Sequence, residues 1–308
     1  MNPKISVIMP VYNSEKFLKE AIESILNQSF KDFEFIILND GSSDSSEEII
    51  KTFSDQRIIY IKNEQNVGLP KVLNQGIRQA KGDFIARMDA DDVSLKERLA
   101  LQYKFLTNHP EIDIIGTNVR LINAEGLVIG TQKKPAEHWL IKWQSLFSTP
   151  LQHPTVMARA KVFRENLFDE NLYNGEDYEL WSRLLFKTRT RFANISQPLL
   201  QYRIYPESFT RKLTPLQKSN SSLISIRNIE HYLKLSEKEK GLINDLRQAK
   251  QISLFSIYLI YLIDLKIGLK YSVAERLNTL KIIRLIQKLA QNKWFLIKYW
   301  LKHLKHPN

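Results

Sequence analysis

The stretch Asp83 to Asp92, with the sequence DFIARMDADD, is the point around which this chain is organised. Its apolar first part predicts a buried β-strand from Asp83 to Met88. The strand runs directly into three carboxylates within four residues, Asp89, Asp91 and Asp92. Carboxylates this close repel one another and resist full ionisation unless a cation or a hydrogen-bond donor compensates their charge.

Two interpretations of the three carboxylates stay open at this point. Alternating oxygen ligands are what a hard divalent ion prefers, which favours a metal site. Acidic groups also suit the N-terminus of a helix, and Ser94 with Glu97 three residues later has the spacing of a capping box. The residues of this stretch alone do not decide between metal binding and helix capping.

Strand patterns and helix patterns alternate in the chain that leads up to this stretch. Strands are predicted at Ile5–Met9, Phe33–Leu38 and Arg57–Lys62, and a helical pattern follows each of them. We expect Pro10 to end the first strand, because proline cannot donate to the ladder of a central strand. The alternation predicts an α/β fold with a mostly parallel sheet flanked by helices.

Polar residues follow three of the predicted strands, at Tyr12-Asn13, Asp40 to Asp44 and Asp89 to Asp92. Each loop by itself is typical of an Asx-turn or a helix cap. Ligands of parallel sheets bind at the carboxyl ends of the strands, so the three loops are expected to converge on one crevice. The sequence has neither a Gly-x-Gly-x-x-Gly run nor a Walker-type Gly-Lys-Ser/Thr run, which argues against a dinucleotide site or a P-loop.

The basic charge of the chain is concentrated in its C-terminal part. The formal net charge is +12, and the 17 basic and 6 acidic residues from Pro215 onward leave 28 basic and 27 acidic residues before it. This distribution argues against a nucleic-acid binder and favours a tail that meets an anionic surface. The absence of cysteine excludes disulfides and thiolate metal sites. Because no signal-like segment precedes the first strand, we expect a cytoplasmic protein.

Four motifs occur together in the first two thirds of the chain: Ile8 to Asn13, Asn39 to Asp44, Asn66 to Leu69 with Leu73-Asn74, and Asp89 to Asp92. As an ordered set they resemble the family 2 glycosyltransferases. The resemblance implies the GT-A fold, a Rossmann-like sheet that binds a nucleotide-diphospho-sugar, over residues 1–214. Residues 1–110 would form its nucleotide-binding half and residues 111–214 its acceptor half.

The resemblance implies a nucleotide-binding set in the first half. Its members are Pro10, Val11, Tyr12, Asn13, Asp40, Gly68, Lys71 and Asp89. Pro10, Val11 and Tyr12 would line the base and ribose pocket. Asp40 would accept a hydrogen bond from the base, usually uracil, and Asp89 would lie near the ribose. Asp91 would bind the Mn²⁺ or Mg²⁺ ion that bridges the diphosphate, while Asp92 keeps the capping role.

The acceptor half begins with β-rich pieces at Ile112–Leu121 and Leu127–Thr131, followed by a helical pattern near Trp139–Phe147. Further on, Glu176 and Asp177 open another helix, where acids suit the N-terminus. The resemblance implies a sharper role for them. Asp177 would be the catalytic base of an inverting enzyme, with Glu176 as the alternative.

Four further residues of this half are predicted to contact the diphosphate or the acceptor: His153, Trp181, Arg203 and Arg211. A structural role is the alternative for His153, and a core position is the alternative for Trp181. Arg203 or Arg211 would neutralise phosphate. Tyr205 stands where the family often has a histidine, so a third protein ligand to the metal is not expected from that position.

Residues 215–308 are predicted to form a basic helical extension. Ile252–Ile263 is almost continuously apolar but shorter than the roughly 20 residues that a membrane-spanning helix needs. Lys281–Lys305 alternates basic residues with aromatic and aliphatic ones, which is typical of an amphipathic helix on anionic lipid. We therefore expect the protein at the inner face of the cell membrane, with packing on the body or oligomer formation through these helices as alternatives.

The function expected from these features is inverting, metal-dependent transfer of a hexose or N-acetylhexosamine from a UDP-sugar to a glycan or lipid-linked acceptor. The resemblance and the basic tail together imply bacterial surface polysaccharide biosynthesis. One alternative is a sugar nucleotidyltransferase, although no Gly-rich, Arg/Lys-bearing phosphate loop lies near the first strand. The other is a non-catalytic module that binds a nucleotide or a glycan.

Overall fold

The computed structural model describes residues 2–206, 215–247 and 265–275 of the chain. The chain divides into two compact units. The first unit contains residues 1–144 and 149–213, and the second contains residues 145–148 and 214–308. The sequence did not predict that a short segment from the middle of the chain belongs to the second unit.

A nine-stranded sheet forms the centre of the first unit. Its strands are β1 (Ile5–Val11), β2 (Phe33–Asp40), β3 (Ile58–Asn63), β4 (Phe84–Arg87), β5 (Val93–Ser94), β6 (Ile114–Ile122), β7 (Val128–Gln132), β8 (Met157–Arg159) and β9 (Phe192–Arg203). They lie in the order β3-β2-β1-β4-β8-β6-β9-β5, and β7 pairs with β6 outside this path. Strands β1 to β4 are parallel, whereas β8 runs antiparallel to both β4 and β6. The predicted α/β fold with a central sheet flanked by helices is confirmed, and strands β1 to β4 form its parallel part.

Helices cover both faces of this sheet. They are α1 (Glu15–Leu26), α2 (Ser46–Lys51), α3 (Leu69–Gln79), α4 (Arg98–Asn108), α5 (His138–Gln144), α6 (Ala160–Glu165) and α7 (Glu176–Lys187). Successive side chains of a strand point to opposite faces, and β1 shows the result. Val7 and Met9 pack in one core with Ile22 of α1, while Ile8 packs in the other with Val72 of α3 and Leu180 of α7.

Strand β1 continues through Pro10 to Val11, so the prediction that Pro10 ends the strand is wrong. Its pairing with β2 extends to Val11, whereas its pairing with β4 ends at Ile8. Beyond Ile8 the strand has a neighbour on one side only, and such a position tolerates a residue that lacks an N–H group. The chain therefore stays extended as far as Val11. The next residue, Tyr12, has an exposed side chain.

The second unit contains α8 (Pro215–Glu230), α9 (Glu237–Arg247) and a helical segment at 265–274. Within this unit the Tyr232 hydroxyl donates to Glu275 at 2.6 Å, and the rings of Tyr232 and Tyr271 meet edge to face. Among the residues that the structure describes, no helix is both long enough and apolar enough to cross a bilayer. The predicted segments Ile252–Ile263 and Lys281–Lys305 lie outside the described residues.

Candidate active site

The carboxylates of Asp89, Asp91 and Asp92 gather just beyond the carboxyl end of β4. One oxygen from each lies within 4.8 Å of the others. Burial, reinforced by the neighbouring Asp89, raises the pKa of Asp91 to about 6, and burial also raises the pKa of Asp92 well above its usual range. The Oδ2 atom of Asp92 is buried and has no hydrogen-bond partner in the described part of the chain. This all-oxygen set with an unsatisfied carboxylate atom fits a hard divalent cation.

Asp92 does not cap a helix, contrary to the prediction. Helix α4 begins at Arg98 with Glu97 in the capping position, because the two-residue strand β5 intervenes and pairs with β9. The carboxylate of Asp92 instead accepts the backbone N–H of Arg203 at 2.9 Å. The capping interpretation is therefore wrong for Asp92, which lies within the acidic cluster.

Tyr205 contacts the acid that was predicted to bind the metal. Its hydroxyl donates to Oδ2 of Asp91 at 3.1 Å, and its ring packs against Phe17 at 5.1 Å between centroids. Tyr205, which stands where the family often has a histidine, thus holds Asp91 by a hydrogen bond. The sequence located this position but gave no indication of the contact.

Arg203 braces the loop of the acidic cluster and is not placed to bind phosphate, so that prediction is wrong. Its guanidinium is buried, donates to the backbone oxygens of Asp91, Asn123 and Ala124 at 2.9 to 3.2 Å, and forms an ion pair with Glu20. Arg211, the other predicted phosphate ligand, lies outside the described residues. Phosphate contacts from this part of the chain stay a prediction.

Asp40 organises the turn before α3. Its carboxylate is only 4% exposed and accepts the backbone N–H groups of Val67 and Gly68 at 3.0 Å, together with the side chain of Asn63 at 2.9 Å. Gly68 has a φ of +93°, and a Cβ there would lie 2.8 Å from the Tyr173 ring. Only glycine meets both demands, so Asp40 and Gly68 form one local structure whose contact with a base stays a prediction.

The remaining residues of the predicted nucleotide set differ in exposure. Tyr12 is 50% exposed and Lys71 is exposed on α3, whereas Val11 packs in the core with its side chain 1% exposed. The predicted place of Val11 in the base and ribose pocket stays a prediction. Asn13 ties two loops together, because its Oδ1 accepts the backbone N–H of Ser43 at 2.9 Å. Pro10 is partly buried at the end of β1.

Glu176 and Asp177 begin α7, immediately after Gly175 in the left-handed region. Oε2 of Glu176 accepts the backbone N–H of Gly175 at 3.1 Å, and Oδ2 of Asp177 accepts the Thr149 hydroxyl at 3.1 Å. Burial and the adjacent Asp177 raise the pKa of Glu176 to about 7, and burial raises the pKa of Asp177 above its ordinary value. Two such neighbouring carboxylates share their ionisation, which suits a proton acceptor that works near neutral pH.

Arg87, which the sequence analysis did not single out, connects the two acidic sets. It is buried at the end of β4 and forms an ion pair with Asp89. Its positive charge also acts on Asp92 of the cluster and on Glu176 of α7. One buried guanidinium therefore lies within electrostatic reach of both sets. An arginine inside the apolar run DFIARM was the signal that could have identified it.

Arg98 is a second buried cation beneath the cluster. Its Nη1 atom donates to the backbone oxygens of Pro154 at 2.6 Å and of Arg87 at 3.2 Å. Burial lowers the pKa of Arg98 to about 10, while Asp92 opposes that shift. The guanidinium stays charged at neutral pH and compensates part of the buried negative charge.

Trp181 is fully buried, so the prediction that it forms a sugar platform is wrong. Its ring meets Phe168, Phe192 and His153 edge to face in the core between α7 and the sheet. His153 begins a short 3₁₀ turn, with Nδ1 4.0 Å from Oε1 of Glu176. Burial and Arg87 lower the pKa of His153 well below its ordinary value, so this contact joins a neutral imidazole to the acid.

Comparison with known proteins covers the part of this site that lies before α7. Glycosyl transferase family 2 matches residues 6–172. The glycosyltransferase MJ1057 of Methanocaldococcus jannaschii is 38% identical over 208 residues, which are 66% of this chain and 71% of that protein. The O-antigen biosynthesis glycosyltransferase WbnJ of Escherichia coli is 37% identical over 209 residues, which are 66% of this chain and 81% of WbnJ.

A solved structure shares the fold. The crystal structure of S. aureus TarS 1-349 in complex with UDP-GlcNAc superimposes with a TM-score of 0.62 at 20% identity, and the match covers 88% of this chain and 83% of that one. The family match spans more than half of the chain and includes the loops at Tyr12 and Asp40 and the acidic cluster. With this order of motifs on this sheet, the chain belongs to glycosyl transferase family 2.

Proposed function

We propose that this protein is an inverting, divalent-metal-dependent glycosyltransferase that moves a hexose or N-acetylhexosamine from a UDP-sugar to a glycan or lipid-linked acceptor. The observation that carries the proposal is the pair of acidic sets around Arg87. One set follows β4 and the other begins α7, and the charge of Arg87 acts on both. A transfer reaction needs such a division between a site for the leaving diphosphate and a base for the acceptor.

The acidic cluster supplies the leaving-group half of this chemistry. Asp91 and Asp92 would hold Mn²⁺ or Mg²⁺, and Asp89, which is paired with Arg87, is assigned to the ribose. A cation held by these carboxylates would neutralise the charge that develops on the diphosphate. Tyr205 and Arg203 keep the loop of the cluster in place through their bonds to Asp91.

Asp177 would act as the base for the acceptor hydroxyl. Its carboxylate takes the proton of the acceptor hydroxyl while the hydroxyl oxygen bonds to the anomeric carbon. The bond between that carbon and the diphosphate oxygen breaks, and the electron pair leaves with the diphosphate. A single carboxylate base suffices for this inverting displacement. Glu176, whose pKa burial and the adjacent Asp177 raise to about 7, would carry the proton shared by the pair near neutral pH.

The known relatives support the choice of substrates. TarS is solved with UDP-GlcNAc, and WbnJ is a glycosyltransferase of O-antigen biosynthesis. We therefore assign a UDP-sugar as donor and a growing surface polysaccharide as acceptor. The basic tail would bring the enzyme to the anionic inner face of the membrane, where it would meet a lipid-linked acceptor.

A panel of sugar nucleotides, each incubated with and without Mn²⁺, tests the proposal. We expect UDP to be released from a UDP-sugar only when the divalent ion is present. Pyrophosphate formation from UTP and a sugar phosphate would identify a sugar nucleotidyltransferase instead. If no sugar nucleotide turns over although UDP binds, the protein is a binding module.

A further inference from the structure

Lys134 and Thr149 lie next to Asp177 and have no part in the reaction described so far. The Thr149 hydroxyl donates to Oδ2 of Asp177 at 3.1 Å, and Nζ of Lys134 donates to the backbone oxygen of Thr149 at 2.8 Å. The backbone N–H of Lys134 donates in turn to Oδ1 of Asn118 on β6 at 2.9 Å. Thr149 therefore joins the lysine to the acid, and the central sheet fixes the position of the lysine.

The charges around Glu176 and Asp177 are not symmetrical. Arg87 on β4 favours the anion of both carboxylates, but Lys134 and the Thr149 hydroxyl favour the anion of Asp177. Glu176 accepts a hydrogen bond from Gly175 and lies beside a neutral His153. When one proton is shared by two adjacent buried carboxylates, such a difference decides which of them holds it.

We propose that Lys134 and Thr149 are positioning residues that keep Asp177 as the ionised member of the Glu176–Asp177 pair and hold its carboxylate in one orientation. The inference rests on the proposed function, because that function makes Asp177 the base. Lys134 can supply the charge, since burial lowers its pKa only to about 8 and leaves it mostly protonated at pH 7. Both residues act through Asp177.

Carbon-13 NMR titration of the Asp177 carboxyl group tests this inference without a substrate. Protein labelled at the aspartate carboxyl carbons would be titrated as the full chain, with the Asp177 signal identified by its loss in Asp177→Asn. In Lys134→Gln, which can still donate to Thr149, we expect the titration midpoint to rise by about one pH unit. Lys134→Arg, which keeps the charge, should restore the original midpoint.

Thr149 provides an independent pair of variants. Thr149→Val removes the hydroxyl and should raise the midpoint, whereas Thr149→Ser should leave it unchanged. If Lys134→Gln does not fold, as judged by circular dichroism, the Thr149 pair decides the question. Unchanged midpoints in folded Lys134→Gln or Thr149→Val would overturn the inference. Retention of UDP release by Asp177→Asn would instead overturn the base assignment, because the midpoints do not depend on turnover.

Discussion

At the scale of single residues, the acidic cluster depends on hydrogen bonds from residues that are distant in the sequence. Tyr205 donates to Asp91 across 114 positions, and the backbone of Arg203 donates to Asp92 across 111. Each bond holds a carboxylate that burial and its neighbours would otherwise favour in the protonated form. Hydrogen bonds of this kind to metal-binding acids set the orientation of the ligand and with it the affinity for the metal.

Replacing Tyr205 by phenylalanine tests this dependence. We expect Tyr205→Phe to weaken Mn²⁺ binding by about tenfold, because Asp91 loses the hydroxyl that orients it. Titration calorimetry with MnCl₂ measures the effect without turnover. Tyr103→Phe is the matched control, since Tyr103 packs between Phe30 and Phe84. Equal affinities in the two variants would show that Tyr205 does not support the metal site.

The raised pKa of Glu176 predicts a specific dependence of the free energy of unfolding on pH. Folding raises its pKa from 4.5 to about 7, so between these values the folded protein holds a proton that the unfolded chain releases. The contribution of this group to the free energy of unfolding is therefore full below pH 4.5 and falls as the pH rises through 7. Glu176→Gln stays neutral and should be more stable than the wild type at pH 8 but not at pH 5.

Urea unfolding at pH 5 and pH 8 measures this difference. Glu165→Gln is the control, because Glu165 is exposed at the end of α6 and pairs with Lys161 on the surface. If the free energy of unfolding changed with pH in the same way in Glu176→Gln and in the wild type, the raised pKa of Glu176 would be contradicted. The experiment also asks whether Glu176, as opposed to Asp177, carries the proton of the pair.

At the scale of elements, strand β9 connects β6 to the acidic cluster. It pairs with β6 along its length and with β5 next to the cluster, and its last residue, Arg203, enters the loop after β4. The guanidinium of Arg203 also stacks over the Phe17 ring of α1 at 4.3 Å. Strand β9 therefore fixes the acidic loop against α1 and the β6–β7 turn.

We expect Arg203→Met to lower the free energy of unfolding by about 2–4 kcal/mol, since several carbonyl oxygens lose their donor. Urea denaturation measures this loss. Arg120→Met on β6 is the control, because Arg120 is exposed. Similar losses of unfolding free energy in both variants would show that the contacts of Arg203 do not stabilise the loop of the acidic cluster.

The elements that could be predicted from the sequence are those with a long, regular pattern. The apolar runs of β1 to β4 and the periodic residues of α1 and α3 identified the parallel half. Strand β5 has only two residues and no pattern of its own, so Asp92 was predicted to cap a helix, a role that the structure does not show. The buried arginines were missed or misassigned because a sequence shows that a charge is present but not which carbonyl oxygens surround it.

At the scale of the whole molecule, ordered motifs predicted the family and the position of the acidic cluster at the edge of the sheet. They could not predict the partners of the Glu176–Asp177 pair, because Lys134 and Thr149 lie in irregular segments before and after α5. Nor could they predict that residues 145–148 join the second unit. Contacts made by irregular segments depend on the folded backbone and leave little periodic signal in the sequence.

The charge of the tail makes a prediction for the full chain. The 17 basic and 6 acidic residues from Pro215 onward give the tail a net positive charge, which should attract the protein to anionic lipid. We expect the protein to sediment with phosphatidylglycerol vesicles at low salt but not with phosphatidylcholine vesicles, and to be released at high salt because the attraction is screened. Equal binding to both lipids, or none to either, would contradict an electrostatic membrane contact.

The central claim is that Asp177 removes the proton of the acceptor while the acidic cluster holds the leaving nucleotide. Comparing UDP release and UDP affinity in Asp177→Asn and the wild type tests it most directly. We expect the rate of UDP release to fall by at least about 100-fold with UDP affinity nearly unchanged, because the variant loses a base but no nucleotide contact. A fully active Asp177→Asn enzyme would contradict the claim.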